Sequence, residues 1–357
     1  MKSITQFTQA GDIGSIYGGP KLERNVTIDE ALKLADLNWS VGMRPLYADT
    51  SAALVVSTDE NGKVSRFTQE FILPEDDEAE RWLVLPNHVA TYRDDTNALL
   101  GVVGSRYVPV QNRDAFGWVE RFLGKDIEYI TTAGHYGGGQ RTFVCLDMGG
   151  FEVCPGDEVR RHLIVTNSHD GSSNLVFHIV GARLACQNML NFAGTRKDAT
   201  IKIRHTAGAG EIIDEVSKVW AKVKAGFMQI EDMFGSMAQT KISPERHNAL
   251  IRHALGITDT QMEAYKASTD QSRKPRWVNE LARVEEAYAE HPGHEFGEGT
   301  VWGTYNALTA YYDHYRNVRG GDPDVKLTSK LAGFDAAHKA SALQFCVAEC
   351  RGARVAV

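Results

Sequence analysis

Between Arg160 and His205, seven basic side chains, Arg160, Arg161, Arg183, Arg196, Lys197, Lys202 and Arg204, stand against two acids, Asp170 and Asp198. Such a density of cations suits a polyanion backbone, because each phosphate contact releases a condensed counterion. Within this run, GARLACQNMLNFAG reads as a helix that places Arg183, Gln187 and Asn191 at i, i+4 and i+8. Ala182, Cys186, Met189 and Ala193 fall on its other side. An Arg with amides on one stripe, and Asn188 beside it, can hold phosphate or pair with base edges. The same side chains can equally tie the helix to its neighbours.

Tyr136 opens the run Gly137-Gly138-Gly139. Glycine amides can cradle a phosphate, and an exposed tyrosine can stack on a base. The run lies between two expected strands and opens no helix, so no helix dipole adds to it, and a plain hairpin tip explains it as well. His291 and His294, followed by Glu295 and Glu298, could ligate a metal if further ligands arrive from elsewhere, but Pro292 and Gly293 between them favour a loop. Cys346 and Cys350, four apart, read as small buried hydrophobes. The chain has no GxxxxGK[ST], GxSxG or HExxH motif, no CxxC pair and no kinase set, so the enzyme classes built on them are not expected.

The elements that must carry these residues follow from periodicity and turn chemistry. Residues 1–30 hold several glycines and little pattern, and read as an N-terminal arm. Thr27 can cap a short helix over TIDEALKLADLNW, with Asp29 and Glu30 at its positive end. Strands are expected at LYADTSAALVVST and VSRFT around Asn61-Gly62, and at ALLGVVGSRYVPVQ. RDAFGWVERFLG spaces Phe116, Val119 and Phe122 as a helix that Gly124 can stop, and the acidic PEDDEAER run reads as a solvated loop or helix start.

Residues 127–182 read as two hairpins. IEYITTAG and QRTFVCLDMGG flank the glycine run, and EVRRHLIVTNS and SNLVFHIVGA flank Asp170-Gly171, so all four strands pair antiparallel. With Asp170 and Gly171 as a two-residue turn, His162 faces Ile179, Ile164 faces Phe177 and Thr166 faces Leu175 on a core face. The opposite face then pairs Arg161 with Val180, Leu163 with His178 and Asn167 with Asn174. From about Glu211 the pattern is helical to the end: a long amphipathic helix, shorter ones near Pro244, Thr258 and Pro275, then TVWGTYNALTAYYDHYRN and GFDAAHKASALQFCVAEC. Trp302, Tyr305, Tyr311, Tyr312 and Tyr315 fall around more than one face of the first of these last two helices, an excess that calls for a covering partner.

The order of elements is an α+β plan: an antiparallel β-sheet built from hairpins in the N-terminal and central part, packed with a helical C-terminal part. The expected divisions are an arm over 1–30, a sheet domain with interspersed helices over 31–205 and a helical region over 206–357. Composition is ordinary for a globular chain of 357 residues, with 43% hydrophobic and 24% charged residues. The formal net charge of -7 argues against whole-protein attraction to polyanions, so any such contact must be local. Five scattered cysteines suit reduced thiols and a cytoplasmic setting, and no stretch reaches the length of a signal core or membrane span.

Six segments also carry a resemblance: NWSVGMRPLY, YVPVQNRDAFGWVERFLG, GGGQRTFVCLDM, VTNSHDGSSNLVFHIVGARLACQNML, GTVWGTYNALTAYYDHYRN and GFDAAHKASALQFC. Together they span most of the chain, and Arg183-Leu184-Ala185-Cys186-Gln187-Asn188 is the most specific stretch. The chain resembles the phage/plasmid-like proteins grouped as a prokaryotic domain of unknown function. The resemblance implies a setting on mobile DNA elements and gives weight to DNA metabolism, with no family chemistry to place on these residues. The layout of antiparallel strands, basic hairpin and crossing helix is also loosely similar to that of ring-forming single-strand annealing proteins.

The resulting expectation is a homo-oligomeric nucleic-acid-binding protein, its partner single-stranded DNA, acting in annealing or recombination. Arg160, Arg161, Arg183, Arg196, Lys197, Lys202 and Arg204 would supply charge, Gln187, Asn188 and Asn191 polar contacts, and Tyr136 a stacking group. No catalytic residue, metal or cofactor is assigned. Two alternatives stay open: a metal-dependent enzyme acting on nucleic acid or nucleotides, using His162, His169, His178 or the His291/His294 pair, and an interaction protein that targets a host factor through acidic surfaces.

Overall fold

The computed structural model describes residues 20, 22–49, 52–58, 64–71, 82–183, 189–191, 200–203, 209–268, 274–316, 329 and 333–352. Helix α1 (Ile28–Leu34) starts where Thr27 accepts from the Glu30 amide and Glu30 reaches back to the Thr27 amide, a reciprocal cap. The segment before it, inside the expected arm, packs against the sheet: Leu22 is buried, and the Pro20 carbonyl accepts from Thr132 Oγ1 at 3.0 Å. After α1 the chain turns through Asp36, whose φ of 54° is unusual for a non-glycine residue.

Strands β1 (Val41–Asp49), β4 (Trp82–Arg93) and β5 (Leu99–Gly104) form an antiparallel sheet in the order β1-β4-β5, while β2 (Ala52–Thr58) pairs with β3 (Val64–Phe71). Helix α2 (Asn112–Phe116) and a 3-10 turn (Gly117–Arg121) bury Phe116, Trp118 and Val119, and Gly124 ends the segment at φ +74°.

The second sheet is a six-stranded antiparallel layer. Strands β6 (Tyr129–Tyr136), β7 (Arg141–Cys154), β8 (Asp157–Ser168) and β9 (Leu175–Arg183) run as a meander, as the two expected hairpins require. Short strands β10 (Met189–Asn191) and β11 (Thr200–Ile203) both pair with β9.

The sheet departs from expectation in two places. The β8–β9 register is one residue off: His162 pairs with Val180, Leu163 with Ile179, Ile164 with His178 and Val165 with Phe177. The cause is the connection, which runs from His169 to Asn174 instead of turning in two residues. Ser168 Oγ donates to the Ser173 carbonyl at 2.7 Å and accepts from the Ser173 amide at 3.0 Å, which closes a wider loop. Asp170 and Gly171 are still at its tip, with Gly171 at φ +75°. The shift puts Leu163, Val165, Phe177 and Ile179 into the main core, and Ile164 and Val180 with Phe143, Cys145 and Ala182 into a second buried cluster on the other face. Neither face of the hairpin is therefore a solvent face.

The second correction concerns the helix expected over residues 181–194. β9 runs on to Arg183, and Met189–Asn191 returns as a strand against Ala182, Gly181 and Val180. Here the amides and carbonyls along that side of β9 find their partners in a ladder. Arg183 and Asn191 therefore stand on paired strands, whose period is two, and not on one stripe of a helix.

Helix α3 (Ala209–Gln239) covers the main face of this sheet with Val216, Trp220, Val223, Phe227, Ile230, Phe234 and Met237, all buried at intervals of three and four residues. Around it lie α4 (Pro244–Ala254), α5 (Asp259–Ala267), α6 (Arg276–Glu290), α7 (Val301–Ala310) and α8 (Phe334–Cys350), and α7 runs into a π-helical turn at Tyr311–Tyr315. Ser243 and Thr258 cap α4 and α5 through their side chains. Trp302, Tyr305, Tyr311 and Tyr312 are all buried within the chain, so these aromatics do not form the uncovered surface expected of them. The protein is α+β, with hairpin-built antiparallel sheets followed by a helical region. Among the described residues no helix is long and apolar enough to cross a membrane.

Candidate nucleic-acid interface

Three of the expected cationic contacts are described in full, and each is held by acceptors of the chain itself. Arg160, on β8, donates through Nε to Asp147 Oδ2 at 3.1 Å and through Nη2 to Glu128 Oε2 at 2.6 Å, with Glu158 at 3.5 Å. Tyr129 stands beside this group; burial, and then the Asp147 charge, pushes its phenol up from the ordinary value. Arg161 leaves the opposite face of β8, donating to Glu231 Oε1 of α3 at 2.6 Å and to the Gly149 carbonyl at 3.2 Å, and so ties the sheet to the long helix.

Arg183 ends β9 and is 1% exposed. Its Nε and Nη2 donate to the two oxygens of Asp157 at 2.6 and 2.7 Å, and Nη2 also donates to the Gly293 carbonyl at 2.5 Å. Trp302 Nε1 donates to the same Asp157 at 2.7 Å, and the guanidinium lies 5.8 Å from the Trp302 ring centroid and 5.9 Å from that of Phe296. This bidentate, desolvated pair joins the sheet to the helical region at the Gly293 loop.

The glycine run forms the β6–β7 tip, with Gly137, Gly138 and Gly139 at φ 63°, 66° and 106°. Its inner side is fixed: a Cβ on Gly139 would lie 3.0 Å from the Trp39 ring and 3.3 Å from Arg93, whereas one on Gly138 would meet open space. Arg93 stacks over Trp39 and is held by Asp36 and Asp95; His135 Nε2 stands 3.4 Å from the same Asp36. Tyr136, half-buried, leans on Phe143, and the Arg141 guanidinium lies 6.0 Å from its ring centroid.

The histidine pair sits in a tight loop after α6. His294 Nδ1 lies 3.2 Å from the His291 carbonyl and 3.4 Å from Glu295, while His291 faces the His314 ring at 5.0 Å. Arg183, Tyr288, His291, His294 and Asn306 line a small cavity here, with room for about one water molecule. Among the described residues no three His, Cys, Asp or Glu side chains are placed to share a metal ion. Cys346 is buried, and burial pushes its thiol far up, as expected of a core residue.

The remaining basic stretch is positioned by two short strands. β10 puts Asn191 opposite Val180, and β11 puts Lys202 opposite Val176, so the two join neighbouring lengths of one edge of β9. Asn191 and Thr200 both stand at that edge, and Arg196 and Lys197 lie between them in the sequence. Gln187, Asn188, Arg196, Lys197 and Arg204 lie outside the described residues.

Residues 99–332 match the family described as Domain of unknown function (DUF932), about two-thirds of the chain. The chain belongs to that family. The DUF932 match runs from β5 to just before α8 and so takes in the six-stranded sheet, the Arg183–Asp157 junction and the basic stretch. No curated protein and no solved structure matches the chain.

Sequence reading missed the partners that give these arginines their roles: Asp147, Glu128 and Glu231, and above all Asp157, Gly293 and Trp302. Asp157 follows the Pro155-Gly156 turn and reads as an ordinary turn acid. Only the tertiary fold brings residues 157, 183 and 302 together.

Proposed function

We propose that this DUF932 protein binds nucleic acid non-enzymatically on a phage or plasmid element, acting on single-stranded DNA in annealing or recombination as an assembly of identical chains. One observation carries the reading: between Leu184 and Gly208 the chain has four cationic residues, Arg196, Lys197, Lys202 and Arg204, and one acid, Asp198, in a protein of net charge -7. Two short strands within this stretch, β10 before Arg196 and Lys197 and β11 carrying Lys202, pair with the last long strand of the sheet. A cation-rich stretch joined to a sheet edge suits a phosphate backbone, which is bound by charge and tracked without sequence preference.

Arg160, Arg161 and Arg183 have other work: Arg160 pairs with Asp147 and Glu128 within the sheet, while Arg161 and Arg183 hold the sheet to the helical region. The contact set therefore narrows to Arg196, Lys197, Lys202 and Arg204, with Tyr136 and Arg141 at the glycine tip as a separate stacking candidate. Anisotropy titration of labelled single- and double-stranded oligonucleotides at several salt concentrations tests the reading. It expects salt-sensitive binding without sequence preference, and the absence of binding at low salt would overturn it.

A further inference from the structure

Ten large apolar side chains are exposed among the described residues, and seven of them, Met43, Tyr47, Val84, Leu85, Leu99, Val102 and Val108, belong to the β1-β4-β5 sheet or the loop that follows it. The two outer strands of this sheet differ. β1 carries Arg44 and Pro45 and shifts register between Pro45 and Tyr47, devices that keep an edge from pairing with another chain. β5 reads Leu99-Leu100-Gly101-Val102-Val103-Gly104, with neither charge nor proline, and among the described residues only β4 pairs with it. A register shift opposite Thr91 and Tyr92 leaves Gly101–Gly104 as regular strand.

The inner face of β5 is fixed to the body: a Cβ on Gly101 would lie 2.6 Å from Asp170 Cα, and Val103 packs at Gly171. Leu100 and Val103 are buried, while Leu99 and Val102 are 63% and 52% exposed. The strand is thus rigid, apolar on its outer face and unguarded along its edge. Its two ends carry opposite charge. The hairpin tip before it holds exposed Asp94, which accepts from the Ser40 amide, and exposed Asp95, which also pairs with Arg93, and exposed Arg106 follows the strand with no carboxylate partner among the described residues.

We propose that a second copy of the chain docks on β5, edge to edge and antiparallel about a two-fold axis near Val102. An isologous contact of this kind covers both unguarded edges at once. It places Val102 against its own counterpart and brings Arg106 of each copy to the Asp94–Asp95 tip of the other. That charge complementarity selects another copy of this chain over an unrelated strand. The contact deepens the assembly part of the proposed function, and the mass measurement needs no nucleic acid, so the two readings can fail separately.

Sedimentation of the full chain at micromolar concentration is expected to give twice the 39.4 kDa chain mass. Val102→Lys, an exposed change with far-UV circular dichroism expected to match the wild type, should return the chain mass, and Arg106→Glu should weaken the dimer. Val102→Cys should cross-link as a dimer on a non-reducing gel beyond the background from the native cysteines. A monomeric wild type, or a Val102→Lys protein that keeps the wild-type mass, overturns the proposal. A dimer that Val102→Cys fails to trap overturns the two-fold register.

Discussion

Asp157 holds both arms of Arg183 at the far end of the six-stranded sheet, 2.6 and 2.7 Å away, and neither side chain meets solvent. Removing one member strands the other as a buried charge, which costs about 3–5 kcal/mol. Arg183→Met should therefore lower the urea midpoint sharply. Combining it with Asp157→Leu should restore part of the loss, the remainder reflecting the Trp302 N–H and Gly293 carbonyl left without partners.

A second buried pair lies in the helical region, where Lys339 Nζ donates to Asp313 Oδ1 at 2.7 Å between α8 and the π-helical turn. Lys339→Met removes the buried ammonium bound to the Asp313 carboxylate and should also cost roughly 3–5 kcal/mol. Asp313→Leu added to it should bring the midpoint back toward the wild type. A double variant no more stable than Lys339→Met alone would count against this pairing.

The glycine tip separates two neighbouring positions. Gly139→Ala meets Trp39 and Arg93 at 3.0–3.3 Å and must also hold φ +106°, so it should cost at least ~1–3 kcal/mol. Gly138 faces open space at φ 66°, which asparagine tolerates, so Gly138→Asn should lower the melting temperature far less. Thermal melts of the two variants side by side check the contrast.

Asp126 accepts from Lys224 Nζ at 2.6 Å and from Trp220 Nε1 at 2.7 Å, and these bonds, Lys224 first, hold its carboxyl below the usual range. A depressed folded pKa gives stability that is present above the unfolded value, about 4, and is lost as pH falls through the folded one. Asp126→Asn should flatten the acid side of the stability profile, read as melting temperature from pH 6 down to pH 3.

Much of the fold was legible in the sequence. Thr27, Pro244 and Thr258 announce helix starts, Gly124 a stop, and the alternation across residues 127–182 both central hairpins, because each signal is local. The β8–β9 register was not legible, since Ser168 widens the loop through a bond to Ser173 that the Asp170-Gly171 dipeptide does not reveal. Nor was the fate of GARLACQNMLNFAG, whose apolar spacing suits a helix while the open edge of β9 takes Met189–Asn191 as a strand. Counting charges found Arg161 and Arg183 but not their structural role, because Asp157, Trp302 and Glu231 reach this pair only through contacts far apart in the chain.

The central claim is that the Arg196–Arg204 stretch contacts a phosphate backbone, and the salt dependence of binding by the Arg196→Ala, Lys197→Ala, Arg204→Ala triple variant tests it most directly. Each lost contact removes roughly one unit from the log–log slope of affinity against salt, a little less on a single strand. The account predicts weaker binding to single-stranded DNA regardless of sequence, a slope lower by about two to three units, and an unchanged melting temperature. A folded triple variant with wild-type affinity and wild-type slope would contradict it.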